Sequence, residues 1–394
     1  MLHSYTFSNF QSFRESVEVS LTINNKVTLT EWMAERSTGE RVSKLMAVIG
    51  ANGSGKTALL KPMAFMSWFI SNSFHTPPDA DIPVAPHAAS THEPITLECT
   101  VDFDGKLWRY ELRCTPKRVL HEALYQRQER RFSYVFMRVW DTESKAYIVK
   151  QQGFGLAPQE AKKVRPNVSL IAWAAQFGVP LAARMVAPHL FTNVNVLGRV
   201  YANNQDVQVA AQHFSMHQEQ YQQMKRLLSA WDLGLSGVDL QEVVINAPDG
   251  TEQKVWVPFG SHSCQGDAFR LPFVLESSGT QSAFVLLSRL LPTLEVGGLA
   301  VIDEFENDLH PHMLEPILDL FANPATNPHN AQLIFSCHAM EVLNLVHKSQ
   351  VMLVEKDVEC ESSAVRMDAV KGIRNDDNYY AKYMAGAYGA TPVF

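Results

Sequence analysis

Eight consecutive residues, Gly50-Ala51-Asn52-Gly53-Ser54-Gly55-Lys56-Thr57, fit the pattern G-x-x-x-x-G-K-[ST] at every fixed position. Each residue type answers a need of phosphate chemistry. Glycine lets the backbone turn tightly enough for several N–H groups to converge on an anion, and Asn52, Gly53, Ser54 and Gly55 supply that cradle. Lys56 adds a positive charge facing the β- and γ-phosphates, and the Thr57 hydroxyl is of the type that holds Mg²⁺. Before the turn, Leu45 to Ile49 is an apolar run that reads as a buried strand. After it, Ala58-Leu59-Leu60-Lys61 opens a helix whose positive end faces the phosphates. Strand, turn and helix in this order imply a nucleoside triphosphate site, with ATP and Mg²⁺ as the expected ligands.

A second chemical element stands about 250 residues on. Leu299-Ala300-Val301-Ile302 reads as a buried strand ending in Asp303-Glu304, the Walker B arrangement. Asp303 is expected to hold Mg²⁺ with Thr57, and Glu304 to act as the base that orients the attacking water. The next strand, Leu333-Ile334-Phe335, runs into Ser336-Cys337-His338, which allows His338 to lie beside the γ-phosphate. Strands alternating with helices imply a parallel sheet, with sites at the strand carboxyl ends.

These elements divide the chain. Residues 1–70 and 258–394 are expected to form one split α/β head. Residues 71–150 read as a β-rich lobe: Ile95 to Phe103 and Trp108 to Leu112 alternate polar with apolar around Asp104-Gly105, a hairpin signal. The stretch 71–92, rich in Pro, His, Ala and Ser, reads as a surface loop or mobile insertion. Residues 151–257 read as a mainly helical insertion that returns to strands from Gln241 to Val257, turning at Pro248-Asp249-Gly250. His213 and His217, four apart on one helix, lack an acidic ligand motif and read as a polar face rather than a metal site.

Composition narrows the class. The chain has 394 residues, 46% apolar and 19% charged, as in ordinary globular proteins. Five scattered cysteines form no C-x-x-C pair, and neither a signal peptide nor a membrane-length apolar run is present, so a cytoplasmic protein is expected. The formal charge of −7 argues against wholesale coating of nucleic acid. Yet nine Lys or Arg lie between Lys106 and Arg138. They form either a surface for a DNA or RNA backbone or the solvated face of an exposed sheet.

Together the motifs resemble the ABC-type ATPase head shared by SMC proteins, RecF and the OLD nucleases. That resemblance implies a signature loop whose Ser and Gly contact the γ-phosphate held by a second subunit. Ser277-Ser278-Gly279-Thr280-Gln281 stands at its place, with Ser278 and Gly279 matching the contacting pair and Thr280 departing from the consensus. A homodimer sandwiching ATP is thereby implied. The chain also resembles the RloA-like branch of stand-alone AAA ATPases in bacterial defence loci. Asn9 to Phe13, Glu122 to Tyr125, Ile302 to Pro311 and the tail Tyr383 to Pro392 carry that likeness. The family's Gln-loop residue has no assigned place; Gln126 and Gln128 are the candidates.

The resemblance implies an ATP-driven switch that senses a phage-related trigger, has no second chemistry of its own, and controls a separately encoded effector nuclease or toxin. The alternative is a RecF- or SMC-like repair clamp acting directly on DNA. A fused nuclease is not expected, because only 37 residues follow Asp357 and they contain no D-x-D.

Overall fold

The structure is a computed structural model that describes residues 1–36, 39–200, 203–231, 234–246, 252–264, 267–306 and 309–391. Its centre is a six-stranded sheet in the order Leu190–Thr192, Leu299–Ile302, Gln332–Ser336, Leu45–Gly50, Val351–Lys356 and Ser362–Arg366. The first five strands are parallel, and Ser362–Arg366 closes the edge antiparallel. This is the α/β architecture expected from the motifs, a largely parallel sheet built around the P-loop strand.

The P-loop strand is buried along its whole length, which explains its unbroken apolar run. Leu45, Ala47 and Ile49 face one core, shared with Phe284 and Leu287 of the helix Ser278–Val296 and Leu318 of the helix Leu314–Ala322. Met46 and Val48 face the other, shared with the P-loop helix Lys56–Asn72 and a seven-stranded antiparallel sheet. Alternation of side chains thus ties the P-loop strand to both layers at once.

The seven-stranded sheet runs from Ala146–Gln151 through Arg131–Asp141, Arg118–Gln128, Lys106–Thr115 and Ile95–Phe103 to Leu2–Ser8 and Val17–Ser20. The first hairpin turns at Asp104 and Gly105, with φ of 52° and 70°, as the favoured two-residue turn requires. Because Leu2–Ser8 pairs with Ile95–Phe103, the β-rich segment shares one sheet with the N-terminal strands.

Several expectations differ from what is observed. Residues 71–92 form an irregular, mostly exposed segment, as a surface loop would, but it is tied down rather than mobile. Ile82 is buried, and Asn9 donates to the carbonyls of Ser90 and Glu93 and accepts from His87 N and Ser90 Oγ. Asn167 and Arg165 satisfy further carbonyls at Phe74, Thr76, Pro77 and Ala80. Distant side chains replace the regular ladder, and composition alone does not reveal them. The segment expected to be mainly helical contains Leu190–Thr192, which lies in the central sheet. The division at residue 258 falls inside the strand Glu252–Cys264. Pro258 pairs with Leu240 at a point before the third strand, Asp267–Pro272, begins its pairing, so its missing N–H is tolerated. The expected turn at Pro248-Asp249-Gly250 lies outside the described residues. No helix among the described residues is long and apolar enough to cross a membrane.

Candidate functional site

The P-loop is built by close approach of its neighbours. A Cβ on Gly50 would lie 2.2 Å from the Val354 carbonyl oxygen, so only glycine lets the adjacent strand pass. Gly55, at φ 113°, has no room either: its Cβ would meet Ser362 Oγ at 2.6 Å. Ser362 Oγ instead donates to the Ser54 carbonyl at 2.7 Å, and its N–H donates to the Ser12 carbonyl at 2.7 Å. Lys56 Nζ donates to the carbonyls of Gly50 and Ala51 at 2.9 and 3.0 Å. Burial holds its pKa below the usual lysine value, against the opposing pull of Asp303 and Glu306.

The Walker B carboxylates converge on the same end of the sheet. Thr57 Oγ1 donates to Asp303 Oδ2 at 2.6 Å, and Ser336 Oγ donates to Asp303 Oδ1. The same Ser336 hydroxyl accepts from Glu304 N at 2.8 Å, so one side chain registers both acidic residues. Asn193, just past the edge strand Leu190–Thr192, donates to the Asp303 carbonyl and accepts from Asp303 N at 2.9 and 2.8 Å. Glu304 takes a left-handed φ of 48°, rare for a residue with a Cβ, and its carboxylate is ion-paired with Arg199. His338 donates its N–H to Glu306 Oε1. Its ring pKa lies below the usual histidine value, through partial burial first and the charge of Lys56 second, so the ring is neutral at pH 7.

The signature segment stands apart. Ser277 caps the helix Ser278–Val296, accepting from Thr280 N at 3.1 Å, and its hydroxyl also meets Thr280 Oγ1 at 2.8 Å. Thr280 is buried, which accounts for a hydroxyl where the consensus has none, whereas Ser278 is exposed. Among the described residues, no hydrogen bond joins Ser278 or Gly279 to the P-loop of the same chain. The structure thus brings Lys56, Thr57, Asp303 and Glu304 together, with His338 at the end of the intervening strand, and leaves Ser278 and Gly279 separate. Sequence reasoning missed Asn193, Arg199, Ser336 and Ser362 as members of the site. For the first two the only signal was an Asn-rich turn, Asn193 to Gly198, in a segment without catalytic pattern.

The sequence profile of a family described as "AAA domain, putative AbiEii toxin, Type IV TA system" matches residues 45–344, a span that contains every one of these motifs. The chain belongs to that family. Among solved structures, this AAA domain is similar to the SMC head domain from Thermotoga maritima, with 16% identity and a TM-score of 0.42 over 93% of this chain and 98% of that one. No curated protein matches its sequence.

The basic stretch of the AAA domain is partly engaged by neighbouring side chains. Arg109 pairs with Glu111 at 3.0 Å and lies over the rings of Tyr125 and Phe132. Lys117 pairs with Asp81 and Arg127 with Glu40, both at 2.7 Å, and Arg118 stacks 4.0 Å from the Trp140 ring centre. Arg138 is fully buried, donating to the carbonyls of Val164, Arg165 and Val168. A run that reads as one charged face therefore splits between surface and interior, as alternation along strands dictates. Lys106, Arg113, Lys117, Arg130 and Arg131 remain exposed, so both expected alternatives, a surface for a DNA or RNA backbone and the solvated face of a sheet, stand. His213 and His217 stack on each other, with His213 Nε2 hydrogen-bonded to Gln220, a structural arrangement.

Proposed function

We propose that this AAA domain is an ATP-binding and ATP-hydrolysing switch that works as a homodimer and controls a separately encoded effector, a nuclease or toxin, in an anti-phage defence system. The observation that carries the reading is the 2.6 Å contact between Thr57 Oγ1 and Asp303 Oδ2, one oxygen ligand from the start of the P-loop helix and one from just past the strand Leu299–Ile302. Such a pair fits Mg²⁺, which takes few protein oxygens and leaves room for phosphate oxygens. The loop fits phosphate: Ser54 Oγ is buried without a hydrogen-bond partner, and a Cβ on Gly53 would meet nothing within 4 Å. Bound Mg²⁺ would neutralise charge building on the β- and γ-phosphates during transfer.

The protein's own groups supply the rest. Lys56 exchanges its two loop carbonyls for phosphate oxygens. Glu304 orients a water and takes its proton, and the neutral His338 ring offers one N–H and one acceptor nitrogen near the γ-phosphate. Ser278, exposed, and Gly279, half-buried beside it at a capped helix start, suit an anion held by a second copy. The description of the family supports a toxin–antitoxin setting, and hydrolysis there serves to change a shape that a partner reads. Copurification of the chain expressed with its native neighbouring genes tests this. Recovery of a neighbour-encoded protein in an amount that depends on ATP supports the switch. A chain that emerges alone, and protects cells from DNA damage without its neighbours, contradicts it.

A further inference from the structure

We propose that Arg199 is an inhibitory latch on Glu304, an inference that rests on Glu304 being the general base. Residues 193–200 form a tight hairpin in which Val194 bridges Arg199 and Asn195 and Gly198 exchange backbone hydrogen bonds of 2.8 and 3.2 Å. Three contacts anchor the hairpin to the site. At its base, Asn193 grips the main chain of Asp303 from both sides. At its tip, Lys61 of the P-loop helix donates to the Leu197 carbonyl at 3.1 Å. On its return limb, Arg199 meets the Glu304 carboxylate.

The third contact bears on catalysis. The Arg199 side chain is only 7% exposed while that of Glu304 is 38% exposed, so the pair is buried on the arginine side and screened by solvent on the other. A carboxylate engaged by a guanidinium does not have the same oxygens available for a water. It is also committed to one orientation, toward the hairpin. Glu304 also takes a left-handed backbone, a conformation that persists only where surrounding contacts over-determine it and that collects at switch regions. The hairpin reaches solvent at its tip, with Leu197 89% exposed, while Val194 at its base is buried. Withdrawal of Arg199 would free the carboxylate for water. The arrangement thus couples the position of one surface hairpin to the rate of hydrolysis.

Steady-state ATP turnover of the full chain, with kcat and KM separated, decides the matter. Arg199→Ala is expected to raise kcat about fivefold, the size of a modest ion pair, with KM for ATP changed by less than about twofold. Arg199→Lys should fall between the two, and Arg199→Ala combined with Glu304→Gln should be as slow as Glu304→Gln alone. Arg199→Gln, which keeps an amide donor but no charge, replaces Arg199→Ala if that variant does not fold. A kcat unchanged or lowered in folded Arg199 variants, with Glu304→Gln inactive, overturns the latch and leaves the base in place. A Glu304→Gln chain that turns over like wild type overturns both.

Discussion

Thr57 and Asp303 touch at 2.6 Å although 246 residues separate them. One opens the P-loop helix and the other ends a strand two places away in the sheet, with Gln332–Ser336 between them. That middle strand ends in Ser336, whose hydroxyl holds both acidic residues in register.

The first prediction follows from this junction. Lys56→Ala should lose ATP binding, because it removes the charge facing the β- and γ-phosphates. Asp303→Asn should retain some binding but hydrolyse more slowly by a factor on the order of 10². Calorimetric titration and a turnover assay separate the two. Wild-type affinity in Lys56→Ala, or wild-type turnover in Asp303→Asn, would remove that residue from the site.

A second prediction concerns stability. Glu122 is fully buried and accepts from Tyr110 OH, Ser169 Oγ and Leu170 N, with Arg138 at 3.6 Å. Glu122→Ala leaves the buried guanidinium without its countercharge and should cost about 3–5 kcal/mol. Urea denaturation reads this directly, and a loss below about 1 kcal/mol would mean the network is not stabilising in the way its geometry suggests.

The third prediction is a pH dependence. Burial, with a smaller contribution from the charge of Arg36, lowers the His3 pKa from 6.5 to about 4. The unfolded chain therefore binds a proton that the folded chain refuses. Stability is full above pH 6.5 and declines as pH falls through the window to about 4. His213, His338 and His347 shift in the same direction. His3→Gln should flatten part of the decline in urea midpoints between pH 7 and 5. An unaltered slope in a folded variant would exclude His3 as a source.

How much of this was legible in the sequence depends on how locally each feature is encoded. The P-loop and the Asp303-Glu304 strand end are each specified within a few residues, and each stands where the pattern implied. Asn193 and Arg199 act on Asp303 and Glu304 across more than 100 residues, so nothing beside them in the chain announces the contact. The strand Leu190–Thr192 has only three residues, too few to show a period. Arg138 and Glu122 read as surface charges within a basic run because burial with a partner depends on Val164 to Leu170 arriving from elsewhere. Residues 71–92 looked loose for the same reason, since the side chains that order them lie at Asn9, Arg165 and Asn167.

The most direct test of the account is a mixing experiment on ATP turnover. Lys56→Ala disables a chain's own P-loop, and Ser278→Arg disables the segment proposed to serve its partner. Each variant should be inactive alone. In an equal mixture half of the dimers are mixed and each carries one intact site, so about a quarter of wild-type turnover should return. Recovery to that level is the predicted result. No recovery, with both chains folded and shown to co-assemble, would contradict a site shared between two copies.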